Sequence, residues 1–461
     1  MLRLRDPQES MWDYLLPLQA QTLSDELAIV DAWLADDRFF EPYRLRFNTH
    51  IGRPTVPVET YLPLMYLKHR YGFGYETLVR EVTDSLHWRR FCHIALDGDV
   101  PHPTTLSKLT RKYGPQVLQD LNELLIQKAR EHKVLRGQKL RIDTTVIQAP
   151  IEYPTDIGLL ADAVRVVTRT VRQVQTAGAA VRTVFRNRLR TVKRALRAVG
   201  RALRTRTGEA KAAVEEQTAR VFRLTRQVVH QAKRVLTNSR RAIGHLRGRA
   251  AAVVQRKRAQ LHQTLQLTAR AMAQTTQRLQ GITSIPDRLV SVVDPEARPI
   301  CRGKLSAKTE FGYKAVLAEN EQRLITHYAV HLGNPGDGTL LQPVFTQHVR
   351  VVGRTPHTVA TDRGFGSKDN ETWLSKCGVK RISLPYRGRL GAQRRAHEHQ
   401  RWFKRQQRWR AGQEATISLG SRKYQWRQSR LRGRAGAETW LGWGIIAYNL
   451  GRLVTITTAS G

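Results

Sequence analysis

Acidic residues are scarce in this chain of 461 residues. Only 38 Asp+Glu stand against 78 Lys+Arg, a formal net charge of +40 with a pI near 11.1. A compact protein carries such an excess only with a polyanionic partner or under strong self-repulsion. Nucleic acid is the leading partner and an acidic membrane surface the weaker one. No uninterrupted apolar run reaches the roughly 18 residues needed to span a bilayer. Cysteine is nearly absent: Cys92, Cys301 and Cys377 are isolated, odd in number and form no CxxC pair. That pattern argues against a disulfide framework and a structural zinc site. The opening MLRLRDPQESMWDYL lacks the apolar core and small-residue cleavage site of a signal peptide. A reducing, cytoplasmic setting is the expectation.

What is present is enough apolar material, 41% of residues, for two or three domains with cores of their own. Residues 1–135 read as a helical domain for DNA binding or dimerisation. VPVETYLPLMYLKHRYG places Tyr61, Leu62, Leu64, Met65 and Leu67 on one broad face, and GYETLVREVTDSLHWRRFCHI repeats the pattern with Leu78, Val79, Val82 and Leu86. A third helix opens near Thr104-Thr105 as its cap. Short helices with tight turns fit a helix-turn-helix-like module, and a generic bundle fits the pattern equally well.

LRIDTTVIQA (about 138–150) changes period to a strand. Between Asp156 and Gln280 proline is missing and arginine takes over: residues 161–280 hold 28 Lys+Arg against 4 Asp+Glu, a surplus of 24. Val181, Phe185, Leu189, Val192, Leu196, Val199 and Leu203 alternate four and three apart, which is a heptad seam. Breaks are expected at Thr207-Gly208 and at Asn238-Ser239, giving two or three long antiparallel helices with arginines outward. A solvated charge face normally mixes signs; this one points to phosphate contact and steeply salt-dependent binding.

Strand character resumes at RLVSVV (288–293). A hairpin (EFGYKAVLA, RLITHYAVHL), the loop GNPGDG, a helix, the strand HTVATD, a helix, the strand KRISLP and a long basic helix from about Gln393 follow. Strand, hairpin, helix, strand, helix, strand, helix is the order of an α/β ribonuclease-H-like mixed sheet, here with a long Arg-rich helical insertion and an N-terminal all-α domain. The catalytic domain is expected over 136–155 and 285–430, the inserted basic helical or coiled-coil domain over 156–284, and a C-terminal helix packing on the catalytic domain over 431–461. That order sets Asp143 and Asp362 on neighbouring strands.

Asp143 and Asp362 close apolar, β-branched strands, and Glu414 rides the basic helix. A strand-end aspartate often caps a nearby amide, but a carboxylate inside a buried strand needs pairing or a metal. The RGFGS after Asp362 frees the backbone for close approach to a ligand. A surface glutamate on a helix is ordinary. Glu414 gains weight from Arg410 one turn earlier, with Arg408 and Trp409 beside it. Glu398 and Glu438 are competitors, one near a helix start and the other leading a packed terminal helix. Three such acids can hold two divalent cations, roughly 3.5–4 Å apart, for a phosphodiester displacement.

Three stretches carry a resemblance: 141–169 (RIDTTVIQAPIEYPTDIGLLADAVRVVTR), 359–371 (VATDRGFGSKDNE) and 410–450. The chain resembles an insertion-sequence DDE transposase of the Y-R-E-K branch, nearest the ISNCY-like group. The resemblance implies that Asp143, Asp362 and Glu414 are the catalytic, metal-holding acids for two Mg²⁺ ions, with Mn²⁺ as substitute. Arg410 would take the stripe's arginine, and Arg408, Trp409, Arg422 and Lys423 would join it against DNA. The tyrosine's place is Gln407 and the lysine's is Ser421, with Arg422 and Lys423 adjoining. Implied partners are double-stranded DNA, as transposon ends and target, and further copies of the chain in a homodimer or larger assembly through the heptad seam. Water would cut the end, and the freed 3′-hydroxyl would attack target DNA with no covalent enzyme intermediate. The alternatives are a decayed or domesticated DNA-binding protein and a ribonuclease-H-like nuclease without strand transfer.

Overall fold

The computed structural model describes residues 22–44, 54–205, 209–243, 247–282, 284–301 and 309–460, with positions 17, 19 and 46. Two compact units emerge: residues 1–150 with 312–461, and residues 151–311.

In the first unit, helices α1 (Asp25–Leu34), α2 (Glu41–Arg44), α3 (Val58–Tyr71), α4 (Tyr75–Asp84), α5 (Leu86–Phe91) and α6 (Pro103–Glu131) precede strand β1 (Lys139–Gln148). Helix α6 is capped by His102, whose ring accepts the Thr104 amide, so the cap falls earlier than Thr104 itself. Gly114, at φ 70, then bends the helix ahead of Pro115. The expected stand-apart domain over 1–135 is not what the packing gives. Asn122 and Gln119 on α6 donate to the carbonyls of Ile325 and Tyr328 on a sheet strand, which ties these helices into the same unit as the sheet.

Strand β1 is the middle of that sheet. It pairs antiparallel with β3 (Thr309–Asn320) and parallel with β5 (Thr358–Thr361). β4 (Ile325–His331) lies antiparallel on β3, and β6 (Arg381–Ser383) lies parallel on β5. β4, β3, β1, β5 and β6 make a mixed α/β sheet in which β3 alone of these five is reversed, and a sixth strand, β2 (Arg298–Cys301), also lies along β3. Side chains alternate between its faces. Leu140 and Ile142 point into one apolar cluster with Val359, Leu341, Phe345 and Leu374 from α11 (Asp337–Val352) and α12 (Lys368–Lys376). Arg141 and Asp143, one residue out of phase, point to the other face. There the basic helix lies, in two pieces: α13 (Ala392–His399) and α14 (Arg401–Lys423), broken at Gln400, whose ψ of 143° is extended. The terminal helix α15 (Gly433–Ser460) buries Trp440, Leu441, Trp443, Ile445 and Ile446 against α3, α6 and β4.

Beneath β4, His348 is fully enclosed, with Nδ1 2.7 Å from Thr326 Oγ1. Burial first, then the neighbouring His327 imidazole, holds its pKa down at about 3. The folded value lies below the unfolded one. Stability from the neutral ring is therefore intact above the ordinary histidine pKa and is lost as pH falls towards 3. Urea titrations at pH 7 and pH 4 should show a loss on the order of 3 kcal/mol from this residue. His348→Gln should flatten that part of the slope; an unchanged slope would place the acid sensitivity elsewhere.

The second unit holds α7 (Asp156–Thr176), α8 (Leu189–Thr205), α9 (Glu209–Ile243), α10 (Gly248–Leu279) and β2 (Arg298–Cys301). Their apolar faces close on one another around Val164, Val171, Val192, Val221, Val228, Val235 and Leu261. Three expectations are corrected here. The heptad seam is shorter than its spacing implied: Val181 lies outside any helix and is exposed, and α8 begins only at Leu189. Val192 and Val199 then face sister helices of the same chain, so that stretch is spent within the unit. α9 runs unbroken through Asn238-Ser239, because Ser239 hydroxyl bonds back to the Leu236 carbonyl and stays in the helix. Residues 288–293 form no strand, and the segment belongs with the inserted helices: Leu289 and Val292 pack with Leu159, Ala163, Val166 and Ala271. Thr207-Gly208 lies outside the described residues.

Candidate active site

In the parallel register Ile142 sits opposite Thr361, the last paired rung, and Asp143 and Asp362 are the residues that follow it on the two strands. Asp143 is nearly buried; its Oδ1 accepts the Thr144 amide at 2.7 Å. Asp362 turns the chain, its Oδ1 accepting the Gly364 amide at 2.9 Å. Burial pushes the Asp362 carboxyl above its ordinary range. The Gly364 amide pulls it down, Asp337 pushes it up again, and Arg410 and Arg387 draw it back. A cation held beside such a carboxyl would favour its charged form.

Helix α14 brings the third acid. Arg410 Nη1 lies 3.3 Å from Asp143 Oδ2, and Nη2 lies 3.5 Å from Glu414 Oε1. One guanidinium thus spans a buried acid and an exposed one. The helix is fixed over the sheet at four points. Gln407 Nε2 donates to the carbonyls of Thr361 and Ser383. Arg141 Nη1 donates to the Trp409 carbonyl at 2.6 Å. Gln413 donates to the Leu317 carbonyl, and Thr416 hydroxyl to Glu319 Oε1. Residues 406, 413, 416 and 420 form the buried face, and Glu414 rides its flank. Gln407 therefore has a structural task of its own where the resemblance has tyrosine.

The other expected residues divide. Arg408 is exposed beside a cleft of about 770 Å³ lined also by Asp362, Arg363, Lys404, Gln407 and Arg410. Arg422 and Lys423 are exposed at the far end of α14. Trp409 is turned inward, its ring under Arg141 at 5.0 Å and Lys139 at 5.7 Å, so its position is explained by packing. Both competing glutamates have basic partners of their own, although Glu398 also lines the cleft beside Arg408. Glu398 is held by Arg394 and the Tyr386 amide, and Glu438 by Arg434 and Gln119.

A fourth acid was missed. Asp337, in the first turn of α11, takes Lys314 Nζ at 2.6 Å, Thr144 Oγ1 at 3.3 Å and Arg387 at 3.8 Å. Its segment, GNPGDG, reads as a plain loop. The available signal was an acid opening the helix that follows the hairpin.

Among the described residues, no three His, Cys, Asp or Glu side chains are gathered closely enough to hold a metal as they stand. Arg410 provides the countercharge between Asp143 and Glu414. The donor chemistry nevertheless suits a hard divalent cation, since every group is a carboxylate oxygen. Glu414, two-thirds exposed in its side chain, has room to swing.

Residues 285–450 match the family model of the Transposase DDE domain, and residues 14–112 match that of the Transposase domain (DUF772). Both stretches are thus similar to transposase domains. Asp362 and Glu414 fall inside the DDE match; Asp143 lies outside both, one residue past the rung at which Ile142 pairs with Thr361. Over 152 residues the chain is 27% identical to "Uncharacterized protein ORF8 in nfe locus" of Rhizobium meliloti, covering 32% of this chain and 72% of that protein. No solved structure matches. Among the described residues no helix is long and apolar enough to cross a membrane.

Proposed function

We propose that this chain is an insertion-sequence DDE transposase of the Y-R-E-K, ISNCY-like kind, which cuts transposon ends and joins them to target DNA in the cytoplasm. The observation that carries the reading is that Asp143 and Asp362 each follow the last paired rung of parallel strands β1 and β5, with Arg410 linking the first to Glu414. Asp143, Asp362 and Glu414 would hold a pair of divalent cations, Mg²⁺ or Mn²⁺, whose charge activates the attacking oxygen and stabilises the departing one. The chain's own residues do the rest. The four ties of α14 hold Glu414 over the sheet edge. Arg410, once released from the acids, is positioned for a scissile-strand phosphate, and Arg408 and Lys404 extend the positive wall of the cleft. Both ends must be held together, so a dimer or larger assembly on DNA is part of the reading.

Duplexes carrying the terminal inverted repeats of the element are the test, with Mg²⁺ and a supercoiled target. Metal-dependent 3′-end nicking followed by joined products supports the reading. Nicking without joining would reduce the protein to a nuclease, and binding without cutting to a decayed copy.

Asp337→Asn checks the fourth acid in the same assay. Loss of its charge leaves Lys314 Nζ with the Pro335 carbonyl but no acid, and loosens the Thr144 contact next to Asp143, so nicking should fall by about 10- to 100-fold, as for residues that orient ligand side chains. The urea midpoint should shift little. Full nicking by this variant would make Asp337 a bystander.

A further inference from the structure

Most of the chain's net positive charge, a surplus of 24 out of 40, lies in residues 161–280 of the second unit. Between α7 and α10 runs a groove of about 580 Å³ lined by Arg165, Arg169, Arg172 and Lys257, with no acid in its wall. Arg165, Arg169 and Arg172 recur four and three residues apart and so share one face of α7. They cover roughly 10 Å of helix axis, a length over which duplex DNA presents about six phosphate charges. All three arginines are exposed. Arg165 meets Asp162 at 2.6 Å on the surface, and Lys257 is steered towards the groove by Gln173 at 3.0 Å.

Composition favours phosphate over other anions. Of the 28 basic residues between 161 and 280, 24 are arginine and 4 lysine. Guanidinium forks match phosphate oxygens two at a time and lose less entropy doing so. A lipid surface would ask in addition for an apolar stripe beside the basic one. These helices have spent their apolar faces on each other, around Val164, Val171, Val228 and Val235.

We infer that the α7–α10 groove is a sequence-independent seat for the backbone of double-stranded DNA, separate from the cutting site. Its contacts go to phosphates, so it adds affinity without reading bases. The inference takes only the identity of the polymer from the proposed transposase function.

The experiment uses the full chain carrying Asp143→Asn, so that binding is read without cutting. Fluorescence anisotropy with a 30-base-pair end duplex and a scrambled duplex is followed across salt concentration. Replacing Arg169, Arg172 and Lys257 by glutamine should lower the slope of log K against log salt by about 2 to 3, equally for both duplexes. Arg169→Lys with Arg172→Lys should keep the parent slope. The slope is read only from protein whose circular dichroism melt matches the parent; if the glutamine protein does not melt so, Arg169→Gln and Arg172→Gln are read singly, each expected to remove about 1. An unchanged slope, a loss confined to the end duplex, or preferential binding to anionic vesicles would overturn the inference. Cutting by the wild type is scored separately: normal slopes without cutting would sink the transposase reading and leave the groove standing.

Discussion

Asp143→Asn is expected to lower end nicking on the order of 10³-fold while leaving the fold in place. The loss follows from what the carboxylate does. A held divalent cation supplies several kcal/mol of charge stabilisation at the reacting phosphate, and each 1.36 kcal/mol is tenfold in rate. An amide has one neutral oxygen and cannot offset the cation. The fold survives because asparagine has the same shape, and its oxygen can still accept the Thr144 amide now bound at 2.7 Å. The neighbouring Arg410 keeps Glu414 as its partner. Affinity for uncut duplex at low metal should hold or rise slightly, since a negative charge has gone from a basic surface. Nicking within tenfold of wild type would remove Asp143 from the chemistry, and with it the central strand from the site.

Breaking the buried pair behind α14 should produce the largest change in stability. Arg141 and Glu319, 2% and 0% exposed, face each other directly across β1 and β3, with Nη2 2.5 Å from Oε1. Burial alone pushes Glu319 up; Arg141 and the Thr416 hydroxyl pull it back. Neither group has another way to reach water. Glu319→Ala leaves a guanidinium charge enclosed, which costs about 3–5 kcal/mol, read as a fall in the urea midpoint. Arg141→Met with Glu319→Leu removes both charges and should recover most of that loss. Activity should not recover with it. Arg141 also donates to the Trp409 carbonyl and Glu319 accepts from Thr416, so the double variant frees two of the four ties that hold Glu414 in place. A stable but inactive protein separates positioning from folding; a stable and fully active one would show that the remaining Gln407 and Gln413 contacts suffice.

How far the chain could be read from its letters varies by element. β5 was legible as an apolar run ending at Asp362 and β1 as a β-branched run, although Asp143 lies in the middle of β1 and not at the end expected of it. The helices α11 and α12 were legible because their apolar residues keep one period. RLVSVV misled: a short β-branched run is the same in a strand and in an extended segment packed on helices, and here Leu289 and Val292 serve the second purpose. Val181 matched the heptad in spacing alone, since the run from 177 to 188 is not helical and cannot present a stripe. In the site, Asp143 and Asp362 stood out through the apolar strand runs that lead into them, and Arg410 and Glu414 through helical spacing. Asp337 did not. Gly336 before it and the preceding proline imitate a turn, and nothing local says that Lys314 and Thr144 from distant strands will meet it. Gln407 read as a missing tyrosine for a similar reason: its value lies in carbonyls 46 and 24 residues away.

The register of the central hairpin carries one more consequence. Gln148, just before the chain leaves for the inserted helices, pairs with Gly312, just after it returns. Departure and re-entry therefore occur on one rung of the ladder, and Gly312 is the residue because any side chain there would strike the Ile147 carbonyl. Such a doorway lets a whole helical cassette be spliced in, lengthened or swapped during evolution while the strands on either side of it keep their partners.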